Sequence, residues 1–560
     1  MKMNKVLTII MALLIVFTAV GCAPGGPGPG PDLDGDKSTL YIANFDGGAG
    51  ENWLEPMARA FEERFAEETF EEGKKGVQVE FYSDKSFIGN EISSGMPGAE
   101  YSIYFAEQIN YYDLIDLNVI ADMTSVITSS LSDVSDTETG SIQDKLYGGK
   151  KAWVNAGTEN NPKYYGLPHY SSPSGIFYNK TLFKEKSLYI SKDGGYTNDP
   201  TKFTVGPDGV SGTYDDGMPS SFEEFFDLCD HMLYDGPSVT PFTWTGKPSY
   251  QHYFNHLGVA ALQSMLTKEE LNAYFTFSGP VEVYDATTGK TTKETITPDS
   301  GYKTRSSYAM YKTLDFASRI FSNPDYYTIS TLDDHLAAQY EYIVSSYENN
   351  DIAFLVEGAY WYNEAVINDS FTFWAEEYAG GNTDVTLRDD FGFVRIPYLL
   401  EGTVEEGEGM PLSFDVSGSS MCLINANVNN DPAKKRMAEL FVKFCYTDEW
   451  LQKFTTTTGL VKGVEYELTT AQKEEMETSH TFGLEIVEVI ERAEKVYPTI
   501  DCTIYNKKSA KFGLGVLKLF PWSLYTNNLS TAFKAGKTAK EYFNKVQISA
   551  VDWANECAGI

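Results

Sequence analysis

The spacing of hydrophobic and polar residues divides the chain into alternating strands and helices. Apolar runs typical of buried strands occur at 38–47, at 76–83 and at the start of 100–127. Between the first two, residues 52–68 place Leu54, Met57, Ala58, Phe61 and Phe65 at helical spacing. This order of strand, helix, strand and helix predicts a largely parallel sheet with helices on both faces.

The rest of the chain continues the pattern with two polar interruptions. A pair of strands separated by a break is predicted within 164–185. Residues 191–217 and the Thr-rich 281–300 are predicted to be surface insertions. Further strands are predicted at 390–400 and 417–427, and helices at 218–233 (with Pro219 and a Ser cap), 431–454 and 536–548.

The amino terminus has the pattern of a signal segment. Lys2 and Lys5 precede an uncharged apolar run, residues 6–20, which is short for a membrane span. The run ends at Gly21-Cys22 and resembles a bacterial lipobox, which implies that residues 1–21 are removed and Cys22 is lipidated. An ordinary secretory cleavage site is the alternative. Residues 22–37, rich in Gly, Pro and Asp, are predicted to be a flexible tether.

Charge and cysteine content narrow the class of protein. The 560 residues carry a formal net charge of −35, which argues against binding to nucleic acid. The five cysteines besides Cys22 form no CxxC motif, and we expect buried free thiols instead of a disulfide framework. Aromatic residues make up 14% of the chain, a high share that suits a site gripping a hydrated ligand.

Five segments in a fixed order carry a family resemblance. They are "GMPGAEYSIYFAEQINYYDLIDLNVIADMTSVI", "YGLPHYSSPSGIFYNKTLF", "MPSSFEEFFDL", "DIAFLVEGAYWYNEA" followed by "FGFVRIPY", and "LINANVNNDPAKKRMAELFVKFCYTDEW". The set resembles the extracellular solute-binding proteins of bacterial ABC sugar importers, family 1, which are maltose-binding-protein-like lipoproteins. The resemblance covers nearly the whole chain after the tether.

The resemblance implies an α/β fold of two hinge-linked lobes with a ligand cleft between them, the type II periplasmic-binding-protein-like fold. Mapping the segments in order predicts a first lobe from residues 38–162 and 413–495. The second lobe is predicted from residues 163–412 and 496–560.

The family's cleft lies at strand ends, where ligands of open α/β sheets bind. An aromatic residue after the strand that ends at Gly358 commonly stacks on sugar in the family, which implies Tyr360, with Trp361 sharing or replacing it. The alternative is that one or two of Tyr360, Trp361 and Tyr362 only pack the helix. The other expected ligand-binding residues are Asn44, Phe45, Asp46, Glu107, Gln108, Tyr170, Ser172, Trp244 and Trp522.

Other motifs suggest chemistry more weakly. Asp208, Asp215 and Asp216 lie among glycines in a composition that suits Ca²⁺, and a plain hydrophilic loop is the alternative. We expect no other cofactor. The Gly536-Lys537-Thr538 sequence lacks the earlier glycine of a phosphate-binding loop and is predicted to start a helix. His252 and His256 are predicted to be a structural or chance pair.

Together these features predict a monomeric receptor, lipid-anchored on the outer face of the cytoplasmic membrane and touching the membrane only through that anchor. It would capture a carbohydrate, expected to be an oligosaccharide, and deliver it to the permease subunits of an ABC importer without covalent chemistry. The alternatives are the same fold with a non-sugar solute, a surface glycosidase using paired carboxylates, or a sensory role.

Overall fold

The computed structural model describes most of the chain after the tether. The described residues are 33–107, 109, 111–146, 154–158, 160–170, 173–245, 261–262, 264–267, 269–270, 273–274, 277–330, 335–382, 390–395, 405–407, 412–416, 420–498 and 529–558. No helix in these ranges is long and apolar enough to cross a bilayer.

The first lobe is built on a five-stranded sheet. Its strands lie in the order Val77–Asp84, Ser38–Phe45, Ile103–Ala106, Met421–Ile424 and Gly166–Pro168. The first three are parallel, and Met421–Ile424 runs antiparallel to both of its neighbours. The prediction of a largely parallel sheet is therefore right, with one reversed strand supplied from late in the chain.

The second lobe repeats this plan. Its strands lie in the order Tyr327–Ser330, Thr240–Thr245, Ile352–Gly358, Ser174–Asn179 and Phe391–Val394. The first three are again parallel, and Ser174–Asn179 is antiparallel to both neighbours. In each sheet, the reversed strand is one that the chain enters on arriving from the other lobe.

Three two-stranded sheets complete the described strands. The predicted insertion at 281–300 is an antiparallel hairpin, and the one at 191–217 contributes a shorter pair. The third pair is parallel. It joins a strand that precedes Met421–Ile424 to a strand that follows helix Thr481–Arg492. These pairs are Gly279–Asp285 with Lys290–Ile296, Tyr189–Ile190 with Tyr196–Thr197, and Leu412–Val416 with Ala493–Pro498.

The helices follow the predicted order and cover both faces of the sheets. Ser221 and Thr538 accept backbone N–H groups at two predicted helix starts. The α-helices are Leu54–Arg64, Gly89–Gly95, Tyr111–Asp116, Thr124–Thr128, Ile142–Lys145, Lys180–Lys186, Phe222–Asp230, Tyr308–Ser322, His335–Val344, Trp361–Ile367, Ser370–Tyr378, Pro432–Cys445, Asp448–Thr458, Thr470–Ser479, Thr481–Arg492, Leu529–Lys534, Ala539–Lys545 and Ala550–Ala558.

Two segments lie in a different lobe from the one predicted. The sequence predicts the lobe change at residue 163, yet Gly166–Pro168 still pairs within the first sheet. The sequence predicts that helix Thr481–Arg492 belongs to the first lobe, but Phe482 and Ile486 lie in the core of the second. Glu485 on the same helix accepts the Phe393 backbone N–H at 2.6 Å. An apolar helix face and a hydrogen bond to the edge strand Phe391–Val394 therefore decide its position, and neither partner is adjacent in sequence.

The second sheet is buried on both faces, which explains the continuous apolar run of residues 352–356 in strand Ile352–Gly358. Phe354 and Val356 belong to one core, while Leu355 belongs to the core on the opposite face. Successive strand residues point to opposite faces, so a strand covered on both sides is apolar on both of its faces, and Glu357 at its carboxyl end is the exception.

Trp361 lies in the second of these cores and has no exposed surface. Its ring centroid lies 5.2 Å from that of Phe391, 5.6 Å from Phe482 and 5.9 Å from Tyr342. The sugar-stacking role expected of Trp361 is therefore wrong, because its ring is fully covered by its own lobe.

We expect Trp361→Ala to lower the free energy of unfolding by about 3–5 kcal/mol, because it opens a large cavity among these rings. Urea unfolding followed by circular dichroism measures this. Tyr360→Ala is the matched control, since Tyr360 is only half-buried, and it should lose clearly less. A loss below about 1 kcal/mol for Trp361→Ala would contradict the assignment of Trp361 to the core.

Candidate functional site

The loop after the first strand is held in a fixed shape by buried hydrogen bonds. Asn44 Nδ2 donates to the Gly50 carbonyl at 3.0 Å and to Ser83 Oγ at 3.1 Å. Trp53 Nε1 donates to the same carbonyl at 3.0 Å. Asn44, expected to bind ligand, is 1% exposed and instead builds the loop.

Gly48 lies at the centre of this loop and cannot carry a side chain. Its φ is +54°, a left-handed conformation that favours glycine. A Cβ atom at this position would lie 2.2 Å from Tyr170 Oη and 3.2 Å from Glu107 Oε1. Two of the predicted site residues, Glu107 and Tyr170, therefore converge on the Gly48 backbone.

The second lobe also binds Gly48 directly. The Gly48 N–H donates to Glu364 Oε1 at 3.0 Å, and Asn363 Nδ2 donates to the Gly48 carbonyl at 2.5 Å. Gln339 Nε2 donates to the other Glu364 oxygen at 3.1 Å. Because Asn363 and Glu364 begin the helix after strand Ile352–Gly358, the carboxyl ends of strands from both sheets meet here. We call this contact the Gly48 clasp.

Tyr360 stands beside the clasp. Its ring packs against the core of the first lobe although the residue belongs to the second. Its hydroxyl hydrogen-bonds the Glu357 carboxylate. A Cβ atom on Gly358 would lie 2.2 Å from Tyr360 Cε1, so Gly358 is needed to leave room for this ring and does not adopt a left-handed turn.

The clasp is rich in buried carboxyl groups. Glu357 is 2% exposed, and burial together with the charge of Glu364 raises its pKa well above the ordinary value. Asp46 is half-buried, and burial followed by the charge of Glu51 raises its pKa as well. Such groups can accept hydrogen bonds from ligand hydroxyls where water is excluded.

Sequence reasoning missed Glu357, Asn363, Glu364 and Gly48. A usable signal was present for two of them. Asn363 and Glu364 follow Tyr360 by three and four positions, which places them on the same helix face. Gly48 could not be found without knowing which segment of the second lobe approaches its loop.

The remaining predicted residues are dispersed. Phe45 folds its ring against Gly47. Trp244 is 2% exposed and packs on Tyr327 at 4.9 Å between ring centroids. Trp244 lies at the carboxyl end of strand Thr240–Thr245 and not in a loop, and its expected ligand-binding role stays a prediction. Gln108, Ser172, Trp522, Cys22, His252 and His256 lie outside the described residues.

The acidic loop at 206–217 uses its carboxylates on its own backbone. Asp215 accepts the Asp208 N–H at 3.0 Å and the Thr213 hydroxyl at 2.9 Å, and Asp216 accepts the Gly212 N–H at 2.7 Å. In the described part of the chain, no group of three or more His, Cys, Asp or Glu side chains is arranged to hold a metal. The loop is thus accounted for without an ion, and a structural Ca²⁺ at Asp208, Asp215 and Asp216 stays a prediction.

Burial and the charge of Asp208 raise the pKa of Asp215 to about 7, while the charge of the buried Arg395 opposes this. In the unfolded chain the pKa is about 3.9. The native protein therefore binds more protons between these values, and this group's contribution to stability falls as the pH rises from about 4 to about 7.

Between about pH 4 and about pH 7, we expect the free energy of unfolding to fall less in Asp215→Asn than in the unsubstituted protein. The reason is that the variant has no proton to release in this range. Urea unfolding at several pH values measures this slope. Asp199→Asn is the control: hydrogen bonds from the Thr201 hydroxyl and N–H lower the pKa of the exposed Asp199. An Asp215→Asn slope equal to that of the unsubstituted protein would contradict the assignment.

We expect Gly48→Ala to separate the lobes, because the new methyl group collides with the Tyr170 hydroxyl and breaks the fit of Asn363 and Glu364. Small-angle scattering should show a larger radius of gyration. Gly73→Ala is the matched control, since Gly73 has φ +83° but open space at the Cβ position. It carries the same type of backbone strain, of roughly 1–2 kcal/mol, without the collision. Identical scattering from the two variants would contradict a clasp between the lobes.

Comparison with known proteins agrees with this architecture. No protein-family model matches the chain, and no curated protein sequence matches it. Solved structures do match along nearly their full length. A chitin oligosaccharide binding protein shares 13% identity over 92% of this chain and 100% of its own, with a TM-score of 0.51.

Two further solved structures show the same likeness. The cyclic alpha-maltosyl-1,6-maltose binding protein from Arthrobacter globiformis has 11% identity, covers 94% of this chain and 100% of its own, and has a TM-score of 0.52. RafE, solved in complex with raffinose, has 14% identity, covers 91% and 100%, and has a TM-score of 0.51. The chain therefore has the two-lobe α/β fold of these binding proteins, the type II periplasmic-binding-protein-like fold.

Proposed function

We propose that the protein is an extracytoplasmic solute-binding receptor that captures a carbohydrate, expected to be an oligosaccharide, for an ABC importer. The observation that carries this proposal is the clasp. The carboxyl-end loops of both sheets meet at Gly48, beside a half-buried Tyr360 and several buried carboxyl groups. Open α/β sheets bind their ligands at such a position.

The chemistry of this region suits a sugar. A pyranose presents C–H groups on its faces and hydroxyls around its rim. The Tyr360 ring can cover the former, and the carboxylates of Glu107 and Glu364 and the Tyr170 hydroxyl can bind the latter. The solved structures of like fold include proteins for chitin oligosaccharide, cyclic maltosyl-maltose and raffinose, which supports an oligosaccharide.

The proposal also includes the finer expectations about location and partners. Lipidation at Cys22 would tether a monomeric body to the outer face of the cytoplasmic membrane. Closure of the lobes on the sugar would present the form that docks on the permease subunits. As a receptor, the protein would carry out no covalent chemistry and would release its cargo unchanged.

We expect calorimetric titration of the purified chain to detect a Kd in the micromolar range or tighter for one class among chitin oligosaccharides, raffinose and maltodextrins. Tyr360→Ala should weaken this binding at least about tenfold, as expected for removal of a stacking residue at a binding centre. The exposed Tyr234→Ala, with a side chain on the outer surface of the same lobe, is the control and should bind normally.

Three results would change the proposal. Folded protein that binds none of these sugars would favour a polyol, peptide or sugar phosphate as the solute. Release of reducing sugar from the same oligosaccharides would favour a glycosidase. Equal affinity in the Tyr360→Ala and Tyr234→Ala variants would move the site away from the clasp.

A further inference from the structure

Lys462 is a fully buried amine inside the first lobe. Its Nζ lies 4.5 Å from the ring centroids of both Trp53 and Phe454. The Phe105 and Tyr446 rings follow at 5.2 Å and 5.5 Å. Burial lowers the pKa of Lys462 to about 8. Aromatic faces attract such a cation, and the four rings form a cage around it.

The amine has a defined hydrogen-bond partner. Lys462 Nζ lies 2.7 Å from Nδ1 of His169, and both side chains are buried. An ammonium group only donates, so His169 accepts through Nδ1 and carries its own proton on Nε2. Burial and the charge of Lys462 hold the pKa of His169 well below its ordinary value, so the imidazole stays neutral. Lys462 thereby fixes the tautomer and the orientation of this ring.

His169 lies in the segment that carries the chain from one lobe to the other. It follows strand Gly166–Pro168, and its backbone N–H donates to the Ser420 carbonyl at 2.9 Å. The Tyr446 hydroxyl, from the cage itself, donates to the Pro168 carbonyl at 2.8 Å. The segment is thus fastened to the cage by side chains on both sides of the Pro168–His169 bond.

The next residue belongs to the clasp. The Tyr170 ring contacts the His169 ring edge-on at 5.5 Å between centroids, and its hydroxyl lies against Gly48. A continuous set of contacts therefore runs from Lys462 through His169 and Tyr170 to Gly48. All of these groups except the Gly48 backbone are side chains with almost no exposed surface.

Stability alone does not favour an amine at this place. The Lys462 amine faces aromatic rings and the neutral His169 imidazole, and burial, which penalises its charge, is the largest influence on its pKa. Replacing a buried charge with an apolar side chain of similar volume is often neutral or stabilising. Methionine would fill the same cage without a desolvation penalty. What methionine could not do is bind His169.

We infer that Lys462 is a positioning residue of the ligand cleft: through His169 it holds Tyr170 and the lobe-connecting segment in the arrangement that binds solute. The inference rests on the proposed function, because Tyr170 matters for binding only if the cleft at the clasp is the site.

The test is Lys462→Met, titrated with the chitin oligosaccharides, raffinose and maltodextrins used above. The variant should fold with unchanged or greater stability and bind at least about tenfold more weakly. In a His169→Leu background the same substitution should cause no further loss, because the partner through which Lys462 acts is gone.

Lys443→Met is the matched control. Lys443 is another buried lysine of the first lobe, 3% exposed, and it pairs with Asp133 at 2.7 Å. Its replacement removes the ion pair to Asp133 and should leave affinity unchanged. If Lys462→Met also has normal affinity, the inference is overturned and the lysine serves only the core.

A second measurement keeps the inference testable if no sugar binds, an outcome that would overturn the proposed function first. Spin labels at Glu63→Cys and Asp227→Cys, on exposed helix positions of the two lobes, report the distance between the lobes. Lys462→Met should broaden this distribution, and Lys443→Met should not. An unchanged distribution, or a His169 whose proton is found on Nδ1 by ¹⁵N NMR, would overturn the inference without reference to any ligand.

Discussion

The two lobes contact each other at the backbone of Gly48, which has no side chain, and much of the cleft region depends on that contact. Asn363 and Glu364 hold the carbonyl and the N–H of one residue, Gly48, whose missing side chain leaves room for Tyr170. Backbone groups are fixed in number and direction, so such a contact forms only when the loop has the right shape. The buried hydrogen bonds of Asn44 supply that shape. The clasp is therefore specific although it is small.

The aromatic residues divide into two roles that composition cannot separate. Trp361 and Trp244 fill the cores of the second lobe, whereas Tyr360, next to Trp361 in sequence, leaves its own lobe and packs against the other. One helical step of about 100° separates two neighbouring side chains, which is enough to send one into the core and the other into the cleft. A high share of aromatics thus reflects large cores as much as ligand binding.

Two buried charged groups fix the position of whole segments of the chain. Lys462 orients the segment that ends at Tyr170, and Glu485 fixes helix Thr481–Arg492 to the second sheet. Charged groups in such places contribute little net stability, since desolvation offsets their interactions. Their directional hydrogen bonds do restrict how each segment can lie. We regard these groups as determinants of geometry around the cleft.

The sequence by itself determined the order of elements, a largely parallel sheet and two helix starts, because these follow from local periodicity and from side chains close in sequence. The division into two lobes was implied by the family resemblance. It also pointed to Glu107, Tyr170 and Tyr360, which the structure brings together around Gly48 and whose ligand-binding role stays a prediction. Only the tertiary structure decided which aromatics face the cleft, which lobe takes Gly166–Pro168 and Thr481–Arg492, and that Gly48 is bound by Asn363 and Glu364. Those outcomes depend on contacts between residues up to 316 positions apart, and no local pattern encodes which distant surface will cover a given side chain.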